Sequence, residues 1–226
     1  MPKNYEINPI YMDNHLLVVN KPAGMLVQGD KTRDTSLLDY CKQFLKQEYK
    51  KPGDVFLGLV HRLDRPTSGI IVFARTSKAA SRLSAQIRNR TVSKKYFALV
   101  EGNTSPNGDF EDMIDRREKT SFISKDQSAK FAKLQFKNLS NRNGISMLDI
   151  NLITGRHHQI RVQFAHRGFP VLGDKKYGSK QKFNGDNIAL FSYSITVSHP
   201  TRNEAMTFQA SPDELWQKYT RNERRL

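Results

Sequence analysis

Between Gly58 and Thr76 the chain reads GLVHRLDRPTSGIIVFART, with an apolar, β-branched run on either side of a polar knot. The flanks VFLGLV and GIIVFA predict two buried strands. The knot, HRLDRPTSG, wedges a single carboxylate, Asp64, between Arg62 and Arg65. A surface turn needs only the Pro and the Gly, so this loop carries more chemistry than a turn requires. With a cation on either side, Asp64 is expected to stay ionised. An aspartate so placed is either a structural ion-pair partner or a nucleophile of the kind that attacks the anomeric carbon of a sugar. Glycoside hydrolysis usually needs a second carboxylate as general acid. None is evident, since Asp54 and Glu101 lie in turn-like contexts. A good leaving group such as uracil would dispense with that acid.

The rest of the chain predicts strands joined mostly by hairpins, with a few helices. INPIYMDNHLLVVNKPAGMLVQG reads as two short strands and a Pro-Ala-Gly bend. DTSLLDYCKQFLKQEY places Leu37, Leu38, Cys41, Phe44 and Leu45 at helical spacing, with Asp34 or Thr35 as cap. SKAASRLSAQIRNR is a second helix, with Leu83 and Ile87 inward. VSKKYFALVEG alternates as a strand, and SAKFAKLQFKNLS with GISMLDINLITG forms a hairpin around NRNG. HHQIRVQFAHRG is a short helix ended by Gly168, NIALFSYSITVSHPTRNEAMTFQA another hairpin, and SPDELWQKYTRNERRL a capped terminal helix. The segments 103–129 and 175–187 are expected to be the least ordered. The class is α+β: a largely antiparallel mixed sheet flanked by helices and loops, in one domain over residues 1–226.

Charge narrows the partners. Lys and Arg number 37 against 22 Asp and Glu, a net +15 and a pI near 9.9. That excess is the footprint of a nucleic-acid partner, although an anionic membrane would also attract it. Cys41 is the only cysteine, which excludes an intrachain disulfide and a thiolate metal site. No apolar run approaches the length of a membrane span, and the first residues lack a signal-peptide core. Cytoplasm is the expected compartment.

Two further constellations stand out. LITGRHHQIRVQFAHRGFPVLGDKKYG, residues 152–178, holds Arg156, Arg161, Arg167 and three histidines. A metal site is not expected there: on a helix, His157 and His158 would point about 100° apart, and no further ligand is well placed. Arg161 lies between Ile160 and Val162, so it should have a buried anionic partner, for which Asp64 is a candidate. Before Tyr96, four of the eight residues from Arg88 to Lys95 are cationic. A ring beside a basic run suits stacking on an unpaired base, although a tyrosine in a strand is more often core.

HRLDRPTSG, SKKYFALVEG and TGRHHQIRVQFAHRGFPVLGDKKYG, in this order, resemble the three signature segments of the RluA-type pseudouridine synthases. The similarity runs from about Ile10 to Ala210. It implies the pseudouridine synthase fold and an RNA substrate, ribosomal or transfer, whose target uridine is flipped out, with neither cofactor nor metal. By the same resemblance Asp64 is the catalytic aspartate and Tyr96 stacks on the uracil, where it is also a candidate to take the carbon-5 proton. Arg161 pairs with Asp64, Arg62 helps displace the flipped base, and Ile160 lines the uracil pocket. His61, Lys94, Lys95 and Arg156 complete the expected substrate contacts. Many relatives carry a small RNA-binding domain ahead of the catalytic one. Here the first strands begin at about Ile7, so no such domain is expected, and monomer is the default state. Two rivals stay open: an RNA-binding protein that keeps the fold without the activity, and a glycosidase that releases uracil.

Overall fold

The computed structural model describes residues 5–220. The chain forms two compact units, Met1–Ser93 with Ser194–Ala210, and Lys94–Tyr193 with Ser211–Leu226.

In the first unit, β1 (Pro9–Met12) pairs antiparallel with β2 (Leu16–Lys21), and β2 with β4 (Ser68–Ala74). Asp13 closes the β1–β2 turn by accepting the N–H groups of His15 and Leu16 at 2.8 and 2.7 Å. β3 (Gly58–Leu59) adds two residues to β4 and stops, so the longer strand expected from VFLGLV is not formed. The helix α1 (Leu37–Glu48) buries Leu37, Cys41 and Leu45, as its spacing predicts. Its cap is Ser36, not Asp34 or Thr35: the Ser36 hydroxyl and Asp39 form a reciprocal capping box. The helix α2 (Ser77–Arg88), capped by Thr76, buries Ala79 and Leu83 against a core of Leu16, Val18, Ile70 and Val72.

In the second unit, β5 (Ser93–Glu101), β9 (Ile145–Leu152), β8 (Lys130–Arg142), β6 (Asn107–Arg117) and β7 (Thr120–Ile123) follow one another in space, each antiparallel to its neighbour. The β8–β9 hairpin turns on Asn143 and Gly144, both at positive φ (50° and 73°), the geometry NG supplies. The helix α3 (Gln159–His166) ends before Gly168 (φ 81°) and sets Phe164 edge-on to Phe110 and Phe136. β10 (Leu190–Ser198) begins in this unit and, from Ser194 on, forms the expected hairpin with β11 (Ala205–Gln209) in the first unit. The terminal helix α4 (Gln217–Thr220) follows a 3₁₀ turn capped by Asp213, and the expected helix past Thr220 lies outside the described residues.

Segment 103–129 contradicts its expected disorder, since it forms β6 and β7. The row of β6 that faces inward is Gly108, Phe110, Asp112 and Ile114. Asp112 hides the alternation, because a carboxylate in that row reads as a loop residue. It is held by both Nη atoms of Arg167, at 2.9 and 3.1 Å, and by Gln163 Nε2 at 2.7 Å. Segment 175–187 is also anchored. The Glu101 carboxylate accepts from Ser179 Oγ at 2.6 Å and from the N–H groups of Lys180 and Gln181, both at 2.9 Å.

Candidate active site

The loop that carries Asp64 is fastened at three points. Had β3 continued in register, Val60 would face Val72. The chain leaves β4 instead, and the His61 ring takes over: Val72 N–H donates to His61 Nε2 at 2.9 Å. That nitrogen therefore carries no proton. Beyond it, Thr67 N–H donates to the Asp64 carbonyl at 3.1 Å and closes a four-residue turn with Asp64 at its start. Gly24 N–H donates to the Arg65 carbonyl at 2.8 Å, and Arg65 Nε returns a bond to the Gly24 carbonyl at 3.0 Å. Arg65 also reaches Asp34 at 2.7 Å. Its guanidinium thus ties the loop to the 24–34 segment. Arg62 is exposed, and Asp64 is half-buried.

The buried cation of this loop is Lys21, which the sequence reading passed over as part of a bend. It is fully buried and donates to the carbonyls of Pro22, Met25 and Arg65 at 3.0, 2.9 and 3.1 Å. A signal was present, because period-two alternation puts Lys21 on the face of Leu17 and Val19, both buried. Burial pushes its ammonium down to about 7, while Asp64 pulls it upward and Arg65 lowers it further. Because the folded value lies below the ordinary 10.5, the unfolded chain binds the extra proton between about 7 and 10.5. Stability should therefore rise with pH across that window, by up to about 1.4 kcal/mol per pH unit. Urea unfolding of the protein and of Lys21→Met across this window should show a shallower rise for the variant. Parallel profiles would rule Lys21 out as the titrating group.

In the second unit Tyr96 stands on β5 opposite Ile150 and is 7% exposed. Lys94 shares its face of the strand, while Lys95 points the other way and is exposed. Ile160 and Arg161 open α3 and are both buried. Arg161 has the buried anionic partner its setting demands within its own unit: Asp174, which the sequence reading did not single out. Nε and Nη2 of Arg161 donate to the two Asp174 oxygens at 2.6 and 2.9 Å, a bidentate pair with both side chains under 5% exposed. The guanidinium carbon lies 5.1 Å from the Tyr177 ring centroid. Asp174 also starts the 3₁₀ turn Lys175–Tyr177, its carbonyl accepting from Tyr177 and Ser179 N–H.

The two adjacent histidines precede α3 and do not ride on it. His158 has φ 54°, and its ring stacks on His157 with centroids 3.7 Å apart, so the expected 100° divergence does not occur. His157 Nδ1 meets Ser121 Oγ at 2.9 Å, and His158 Nδ1 meets the Tyr177 hydroxyl at 2.7 Å. Both rings are thereby built into the start of the helix. Arg156 donates from Nε to the Phe131 carbonyl at 2.8 Å.

Asp64 thus stands on the fastened loop of the first unit, and Tyr96 and the buried Arg161 stand in the second. A family model described as RNA pseudouridylate synthase matches residues 15–166. The ribosomal large subunit pseudouridine synthase C of Buchnera aphidicola (subspecies Schizaphis graminum) is 32% identical, over 96% of this chain and 71% of the relative. The ribosomal large subunit pseudouridine synthase D of Zymomonas mobilis is 34% identical, over 92% of this chain and 70% of its own. The solved human RNA pseudouridylate synthase domain containing 4 shares the fold, with a TM-score of 0.78 at 22% identity, over 92% of this chain and 90% of that one. The chain belongs to the RNA pseudouridylate synthase family, of the RluA type. It is an isomerase that acts on RNA.

Proposed function

We propose that this enzyme converts specific uridines of structured RNA to pseudouridine, with Asp64 as nucleophile on a base flipped out of its stack. The observation that carries the reading is the fastening of the Asp64 loop by His61, Lys21 and Arg65, far more restraint than a surface turn receives. The names of the relatives favour ribosomal RNA of the large subunit over transfer RNA. Arg161 is the cation that pairs with Asp64 in the reacting complex, Tyr96 stacks on the uracil, and Ile160 lines its pocket. Arg62, exposed on the loop, fills the place the base vacates, and the other basic side chains hold the backbone. The same reading puts the enzyme in the cytoplasm as a monomer.

The chemistry balances without an oxidant or an activated donor. Asp64 meets the anomeric carbon as its bond to N1 of uracil breaks. The freed ring turns and carbon 5 bonds to the anomeric carbon as the bond from Asp64 to that carbon breaks (or, by the alternative route, carbon 5 adds to a glycal), and the carbon-5 proton departs while N1 gains one. Unstacking the base costs about a few kcal/mol, which phosphate contacts made by lysines and arginines can offset. RNA carrying tritium at carbon 5 of uridine tests the proposal. Isomerisation releases the label to water, whereas binding alone or excision of uracil retains it on the base.

A further inference from the structure

GDKKYG ends the segment 152–178, and the mechanism proposed above gives its tyrosine no task. Tyr177 nevertheless stands where three elements of the second unit meet. The Arg161 guanidinium lies over its ring, with the central carbon 5.1 Å from the ring centroid. At that distance a cation is attracted to the face of the ring. The ring also packs against the buried cluster of Ile114, Ala132 and Val162.

The hydroxyl fixes the far end of the ring. It accepts the Ser121 N–H at 2.9 Å, so its own proton is available to His158 Nδ1 at 2.7 Å. Each of these partners is itself held. Ser121 Oγ meets His157 Nδ1 at 2.9 Å, His157 stacks on His158, and the His158 carbonyl accepts the Val162 N–H at 2.9 Å. A chain of contacts thus runs from β7 through the tyrosine to the first turn of α3, the turn that carries Arg161.

Asp174 and Tyr177 restrain different motions of one side chain. The bidentate pair grips the Nε–Nη2 edge of the guanidinium. That pair alone allows the plane to tilt about the gripped edge, and Nη1, opposite the edge, then moves furthest. A ring anchored at both ends and lying against the face of the cation opposes the tilt. For a group that addresses the reacting centre, a misplacement of about 1 Å can cost about a hundredfold in rate.

We infer that Tyr177 is a positioning residue for this reaction: its ring sets the tilt of the Arg161 guanidinium, and its hydroxyl, held by Ser121 and His158, sets the ring. The inference rests on the reading above that Arg161 is the cation paired with Asp64 in the reacting complex. Tyr177 acts only through Arg161.

Single-turnover tritium release from saturating carbon-5-labelled RNA reads the chemical step. Fluorescence anisotropy with the same RNA reads affinity, both with the full chain. Tyr177→Leu should slow the chemical step by about tenfold, the scale of a partly desolvated contact between a cation and a ring. RNA affinity should stay within about twofold, because the interaction lost belongs to the reacting complex and not to binding. Tyr177→Phe keeps the ring in place against Ile114, Ala132 and Val162 and should recover most of the rate. A merely structural tyrosine would lower the unfolding midpoint and leave the rate of the folded protein unchanged. Should Tyr177→Leu fail to fold, Tyr177→Met fills the volume with an unbranched side chain and is read in its place.

Coupling to Arg161 supplies the second arm. Arg161→Lys replaces the plane by an ammonium, which has no tilt to set. In that background Tyr177→Leu should slow the chemical step by less than about twofold. Equal slowing in both backgrounds overturns the inference. So does a Tyr177→Leu rate within about twofold of the unaltered protein, or a Tyr177→Phe rate as low as that of Tyr177→Leu. Absence of release by the unaltered protein is a different failure: it overturns the synthase reading, and the inference with it.

Discussion

Asp64→Asn should abolish tritium release from carbon-5-labelled RNA, by at least about a hundredfold, because the role assigned to its charge is worth several kcal/mol. RNA affinity should stay near that of the unaltered protein, since the amide keeps the size and the loop keeps its fastenings. Those fastenings use the Asp64 carbonyl and the side chains of His61, Lys21 and Arg65. A thermal unfolding curve should confirm that the variant is folded. Turnover above about a hundredth of the unaltered rate would remove Asp64 as the nucleophile.

Arg161 carries the second large effect. Arg161→Met leaves the buried Asp174 carboxylate without its bidentate partner, at a cost of about 3–5 kcal/mol. Against a total stability of about 5–15 kcal/mol, denaturant unfolding should register the loss plainly, with activity falling alongside it. Pairing it with Asp174→Leu separates the two consequences. Replacing both members of a buried pair by apolar side chains is often nearly neutral for stability, so the double variant should recover most of its midpoint. It should not recover isomerisation, because the cation assigned to Asp64 is still missing. A double variant as active as the unaltered protein would reduce Arg161 to a purely structural residue.

Much of this architecture is legible in the residues. A continuous apolar run marks β4, which is buried on both faces, alternation marks β5, β8 and β9, and apolar spacing marks α1 and α2. The misreadings share a physical cause, a polar side chain satisfied by a distant partner. Asp112 makes an inward row of β6 read as loop, and only Arg167 and Gln163, more than fifty positions away, explain its burial. Lys21 reads as part of a turn, because the carbonyl that holds it to the Asp64 loop belongs to Arg65. The demand for an anion beside Arg161 followed from its apolar neighbours, yet spacing could not choose among the carboxylates, and Asp174 in GDKKYG was overlooked. The end of VFLGLV was invisible for a different reason. Nothing in a strand sequence announces that a side chain will take over the ladder.

That substitution at His61 has a mechanical consequence. A backbone ladder comes apart residue by residue, each step exposing another pair of groups. The junction between β4 and the Asp64 loop is instead a pin, one imidazole on two rotatable bonds. Withdrawing it breaks that bond while β2 and β4 stay zipped from Leu16 to Lys21. The sheet and the leading end of the Asp64 loop are thus joined through a side-chain hydrogen bond where a backbone ladder would otherwise run.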